Sequence, residues 1–183
     1  MAINLQKGQK ISLAKEAGGA VSKVTMGLGW DTGRMQVDLD ASCAVLDENN
    51  KLIEAISFRQ LRSANGSIVH TGDNLTGAGD GDDEQIKVDL DKVDARVKNI
   101  VFTVNSFRGQ KFTVVENAFV RIVNQADNKE LCRFNLSEKF PTTGLVMARL
   151  YRHGGEWKFA AMGEGVDGQT VKDMLGKIQS LLG

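Results

Sequence analysis

The sequence has little of the chemistry from which many enzyme and metal sites are built. Only two histidines, His70 and His153, occur in 183 residues, too few and too separate to define a zinc site or a catalytic dyad. The two cysteines, Cys43 and Cys132, form no CxxC pair. That spacing indicates neither a zinc ribbon nor a disulfide framework, and both thiols read as core residues. Net charge is missing too, because 23 basic residues balance 23 acidic ones. No overall field therefore pulls the chain toward nucleic acid or an anionic membrane. No run of about 18 apolar residues offers a membrane span. The opening MAINLQKGQK is polar and alternating, where a secretory signal needs a continuous apolar stretch. The expected setting is the cytoplasm. A single proline, Pro141, against twenty glycines fits uninterrupted strands joined by many tight turns.

What is present is a period of two almost everywhere. KVTMGLGW, RMQVDLDASCAVL, EQIKVDL, KNIVFTVNSF, FTVVENAFVRIV, ELCRFNL, LVMARLYR and EWKFAAM are short β-prone runs bounded by Gly, Asn, Asp or charged clusters. This is the rhythm of an all-β sandwich or barrel. The ENN at 48–50 and the ANG at 64–66 are turn signals. Only the C-terminus changes period: Val171, Met174, Leu175, Ile178 and Leu182 recur at helical spacing, predicting a short amphipathic helix packed on the sheet. No linker divides the chain, so residues 1–183 are expected to form one domain.

Residues 72–84, GDNLTGAGDGDDE, carry five acids and four glycines without a base. Like charges at that density repel unless water or a cation screens them. The stretch lies between SIVH and QIKVDL, where Ile86, Val88 and Leu90 alternate inward, so it joins two strands at one rim of the β-structure. Carboxylates and backbone carbonyls without His or Cys make a hard oxygen cage of the kind that suits Ca²⁺ better than Mg²⁺ or a transition metal. The twelve residues from Asp73 to Glu84 are no EF-hand, since Leu75, Gly77 and Ala78 stand where two ligands and a glycine belong. A phosphate cradle is disfavoured by the acids themselves and by the lack of a following Gly-Lys-Ser/Thr. The plain alternative is a solvated acidic loop.

A second acidic element is QVDLDAS. Val37, Leu39 and Ala41 alternate to one face, leaving Asp38 and Asp40 side by side on the other, about 7 Å apart along the strand. Asp31, after GLGW, is placed near the same rim. VDLD recurs at 88–91, where Lys87, Lys92 and Arg96 supply neutralising charge and Asp89 and Asp91 read as turn or capping residues. His70 reads as a turn histidine in preference to a group orienting a carboxylate. Trp30, Tyr151, Trp157 and Phe159 read as core anchors, and Arg121, Arg149 and Arg152 as partners for acids at a strand rim.

MGLGWD at 26–31, VDLDAS at 37–42, HTGDNLTGAGDGDDEQI at 70–86, NAFVRIV at 117–123 and LYRHGGEWKFAAMGEG at 150–165 together resemble the TerD family of tellurium-resistance and stress-response proteins. The match runs in order over nearly the whole chain. The resemblance implies a β-sandwich of two mainly antiparallel sheets that binds two calcium ions per domain through acidic loops, in bacteria carrying tellurite, colicin and phage-resistance gene clusters. Carried over by position, the ligands are Asp38, Asp40, Asp73, Asn74, Asp80, Asp82, Asp83 and Glu84, with Asp31 as a further member. The expected function is a non-enzymatic calcium-binding module whose metal-ordered surface is read by other tellurite-resistance or stress-response proteins. Two other classes are a C2-like membrane-docking module and a metal-dependent hydrolase. The first would call for basic and apolar loop tips that are not evident. The second would need an open coordination site beside a general base.

Overall fold

The computed structural model describes residues 3–31, 39–71, 84–106, 111–114, 116–136 and 140–182. The chain opens with β1 (Ile3–Leu5), β2 (Lys10–Ser12) and the helix α1 (Leu13–Ala17). Four strands follow: β3 (Lys23–Asp31), β4 (Leu39–Asp47), β5 (Leu52–Ile56) and β6 (Ile68–His70). Next come β7 (Glu84–Asp89), β8 (Val97–Ser106), β9 (Glu116–Asn124) and β10 (Lys129–Asn135). The long hairpin of β11 (Gly144–His153) and β12 (Glu156–Val166) then leads to α2 (Leu175–Leu181).

The strands build two six-stranded sheets, in the orders β1-β10-β9-β3-β7-β6 and β2-β12-β11-β8-β4-β5. Among the described residues all pairings are antiparallel except β1 with β10. The expected sandwich is therefore the observed one. Each of the eight alternating runs contains a strand among its described residues, although Phe112–Val114 forms a turn of 3₁₀ helix ahead of β9. β1, β2, β5 and α1 were not foreseen. The helix is marked in the sequence only by its caps: Ser12 accepts from the Lys15 N–H, and Gly18 adopts the left-handed conformation at φ 75°.

Period two sorts the side chains between two cores. Val24, Met26 and Leu28 of β3, Ile86 and Val88 of β7, and Leu39, Ala41 and Cys43 of β4 meet between the sheets. On the outer face of the second sheet, Ala44, Leu46, Val101 and Val146 are covered by Val171, Met174 and Ile178. The C-terminal apolar stripe thus packs as expected, though the regular helix begins only at Leu175. Phe159 and Tyr151 are buried, and Trp30 and Trp157 pack half-buried against the main core.

Candidate metal centre

Strand direction brings the described residues that flank the acidic segments to one end of the sandwich. β3 ends there at Asp31, β6 ends at His70 and β7 begins at Glu84, whose register partner on β3 is Leu28. β4 begins at the same end, alongside the close of β8, with Asp40 opposite Asn105. Of the expected ligands, Asp40 and Glu84 are described with their side chains. Asp31 is placed by its backbone, in register with Glu116. Asp38, Asp73, Asn74, Asp80, Asp82 and Asp83 lie outside the described residues.

Glu84 is only 4% exposed, and its carboxylate reaches across to the other sheet. Its Oε1 accepts from the Ala41 N–H at 2.9 Å and lies 3.1 Å from His70 Nε2. The same Nε2 lies 3.0 Å from the Ala41 carbonyl oxygen. Both partners of Nε2 are acceptors, so that nitrogen carries the proton and donates to them. The reason for the arrangement is in the register. β5 pairs with β4 only from Cys43 onward, so among the described residues no strand lies beside the edge of Ala41 that faces away from β8. Glu84 and His70 supply the acceptor and the donor that a strand would have given, as buried backbone groups require.

This corrects the reading of His70 as a turn residue. It is 2% exposed and holds a carboxylate in place. The signal was its spacing from Glu84 across an acidic loop, which no local pattern distinguishes from a turn.

Asp40, at 9% exposure, turns with Ser42 to the outer face of the second sheet. Glu84 meets the backbone of the next residue, Ala41, from the other sheet. The two expected ligands therefore meet the same short segment of β4 from opposite faces. Among the described residues no three His, Cys, Asp or Glu side chains are grouped to hold a metal.

The arginines divide. Arg121 pairs with Glu130 at 3.3 Å, as expected of a rim cation. Arg149 instead donates to Asn99 Oδ1 at 2.8 Å and stacks over Tyr151. Arg152 donates to the carbonyls of Val93, Asp94 and Ala95 and stacks over Trp157. Arg96, expected to balance the second VDLD, pairs with Asp94. Both cysteines are buried. Burial pushes the Cys132 thiol up to about 12 and raises that of Cys43 further, which keeps them protonated and unreactive near neutral pH.

A model of the TerD domain family matches residues 1–177. The chain belongs to the TerD family. It is 46% identical over 190 residues to the tellurium resistance protein TerZ of Serratia marcescens, covering 97% of each chain. It is 48% identical over 184 residues to general stress protein 16U of Bacillus subtilis, covering 94% of this chain and 95% of that one. A crystal structure of a homologue of the telluride resistance protein TerD from Streptomyces coelicolor A3(2) superposes with a TM-score of 0.72 at 20% identity, over 87% of this chain and 98% of that one. That last likeness bears on the fold alone, and the fold it shares is the two-sheet sandwich. No helix among the described residues of this TerD-family chain is long and apolar enough to cross a membrane.

Proposed function

We propose that this chain is a non-enzymatic calcium-binding module that orders its acidic rim around the ion and presents the ordered surface to other stress-response proteins. The observation that carries the reading is the clasp at Ala41. Both ends of the segment bearing Asp73, Asn74, Asp80, Asp82 and Asp83 are pinned there, at His70 and Glu84, beside the buried Asp40 carboxylate. Anchoring of the two flanking residues at one point supports a cation shared between that segment and β4.

The donor set is all oxygen and rich in anions, which fits a hard divalent cation and not a thiolate- or imidazole-seeking metal. Asp38, Asp40, Asp73, Asn74, Asp80, Asp82 and Asp83 would hold it, with Asp31 at the margin. Oε1 of Glu84 already receives two donors, so any coordination by Glu84 falls to Oε2. A bound cation would supply charge neutralisation and loop order. The names of the relatives, which speak of tellurium resistance and general stress, support a role in stress tolerance. The buried thiols speak against direct capture of an oxyanion by cysteine.

Thermal denaturation tests the metal. A ligand at about 1,000 times its dissociation constant adds roughly 4 kcal/mol per site, so calcium should raise Tm by many degrees and magnesium much less. Equal shifts with both ions, or none with calcium, would sink the assignment. Affinity capture in calcium and in chelator tests the interaction role, with partners retained only in calcium.

A further inference from the structure

The outer face of the second sheet changes character along its length. Under α2 it is apolar, but at the end near Asp40 it is polar: Asp40 lies opposite Asn105, and Ser42 opposite Thr103. None of these four side chains is more than 9% exposed. Asn105, at 1%, donates from Nδ2 to the Gly168 carbonyl at 2.9 Å. That bond fixes which way the amide points and leaves Oδ1 as a buried acceptor with no partner among the described residues; Thr103 Oγ1 is likewise unpartnered among them. Native interiors rarely leave such groups unmet. The packing around Asn105 is close on its other side, where a Cβ on Gly144 would fall 3.0 Å from Nδ2 and 2.6 Å from the Val166 carbonyl oxygen. Beside Asn105 lies a cavity of about 170 Å³. Asp40, Ser42 and Asn105 line its buried floor, and Phe58, Arg59 and Lys172 its exposed rim.

We propose that this cavity is a binding site for a small zwitterion of the α-amino-acid type, its ammonium inward against Asp40 and Asn105 Oδ1 and its carboxylate outward toward Arg59 and Lys172. The floor offers one carboxylate, an unmet carbonyl and a hydroxyl, and so calls for a cation rich in N–H donors. Residues directly opposite on antiparallel strands have Cβ atoms about 4.5–5.5 Å apart, close enough for one ammonium to meet both Asp40 and Asn105. The rim carries two cations, which call for an anion at the other end of the same molecule. Val171, on the cavity wall, gives a small side chain an apolar surface. The site shares Asp40 with the calcium reading, while Asn105, Ser42, Arg59 and Lys172 belong to no proposed metal set.

The test is calorimetric titration of the full chain, with calcium and with chelator, using glycine, L-alanine and L-serine as probes, while NMR follows the Asn105 side-chain amide. Ethanolamine keeps the ammonium without the carboxylate, and lactate the reverse. The amino acids should bind and move the Asn105 resonance. Ethanolamine should bind about tenfold more weakly, the loss of one charge-assisted contact, and lactate not at all. Replacing both Arg59 and Lys172 by Ala, at exposed positions that do not endanger folding, should bring the amino acids down to the level of ethanolamine without changing ethanolamine itself. Asn105→Ala should abolish binding, with Tm reporting that the variant is folded. The proposal is overturned if no amine moves the Asn105 amide, so that the cavity holds water only. It is equally overturned if lactate binds as well as L-serine, or if calcium alone moves that amide and excludes the amino acids.

Discussion

The chain spells VDLD twice, at 37–40 and at 88–91, and the two copies come to rest in different surroundings. Leu39 and Leu90 are both buried in the main core, so the apolar half of the motif behaves alike. The aspartates do not. Asp40 sits inside the opening of β4, across from Asn105 and one residue from the Glu84–His70 clasp. Asp89 closes β7, and Asp91 lies exposed in the turn that follows, where the Asp89 carbonyl accepts from the Lys92 N–H. A carboxylate that enters a covered strand must be met by something, whereas one that leaves a strand into water need not be. The position of the motif along its strand, not its letters, decides whether it asks for a partner.

The largest expected contrast is in stability. Glu84→Ala strips the Ala41 N–H and His70 of a buried acceptor, and breaking a buried pair in this way costs about 3–5 kcal/mol. Asp91→Ala, on the open surface, should stay within about 0.5 kcal/mol of the parent. Glu84→Gln keeps an acceptor and should fall between the two. Urea unfolding of the calcium-free proteins measures all three. Comparable losses for Glu84→Ala and Asp91→Ala would remove the clasp from its place at the base of the acidic segment.

Calcium affinity gives the next contrast. Asp40→Asn preserves shape and removes a ligand charge, so affinity should drop, tenfold for each 1.4 kcal/mol or so of binding free energy lost. Asp91→Asn should leave it nearly unchanged. Calorimetric titration compares the two directly. If the Asp91 change weakens binding as much as the Asp40 change, the metal set does not include the first copy in the way the fold suggests.

The legible parts of this molecule are those whose signal is periodic. Alternation marks the long strands because each buries one face on a core, as Ile86, Val88 and Leu90 show on β7 and its turn. β1 and β2, three residues each, are too short for alternation to declare itself, and α1 has only its two caps. Asp40 shows where local reading stops. Alternation correctly turns it away from the main core, yet what covers that second face is a segment more than 120 positions later in the chain, around Gly168 and Val171. His70 fails for the same reason: Ala41 meets it only through the packing of the two sheets, and Glu84 only through the pairing of β6 with β7. Long-range covering of a polar group leaves no local trace.

The smallest expected effect lies just beyond the second VDLD copy, at Asp94. Arg96 donates to its carboxylate from the backbone N–H at 2.8 Å, from Nε at 3.1 Å and from Nη2 at 3.0 Å. These bonds from the Arg96 side chain, with help from its backbone, hold the carboxyl at about 2 against an ordinary 3.8. The folded value is the lower one, so the pair's contribution is fully present above the ordinary value and fades as pH falls from there toward 2. Both side chains stand open to water, at 41% and 70% exposure, where solvent and salt weaken any ion pair. Asp94→Asn should therefore leave the unfolding curve at pH 7 almost where it was and make the acid limb between those two values slightly less steep. Arg152 donates to the backbone carbonyl of Asp94 and not to its carboxylate, so that anchor survives the change. A loss at pH 7 as large as that of Glu84→Ala would mean that exposure does not separate the acids that the fold depends on from those it merely carries.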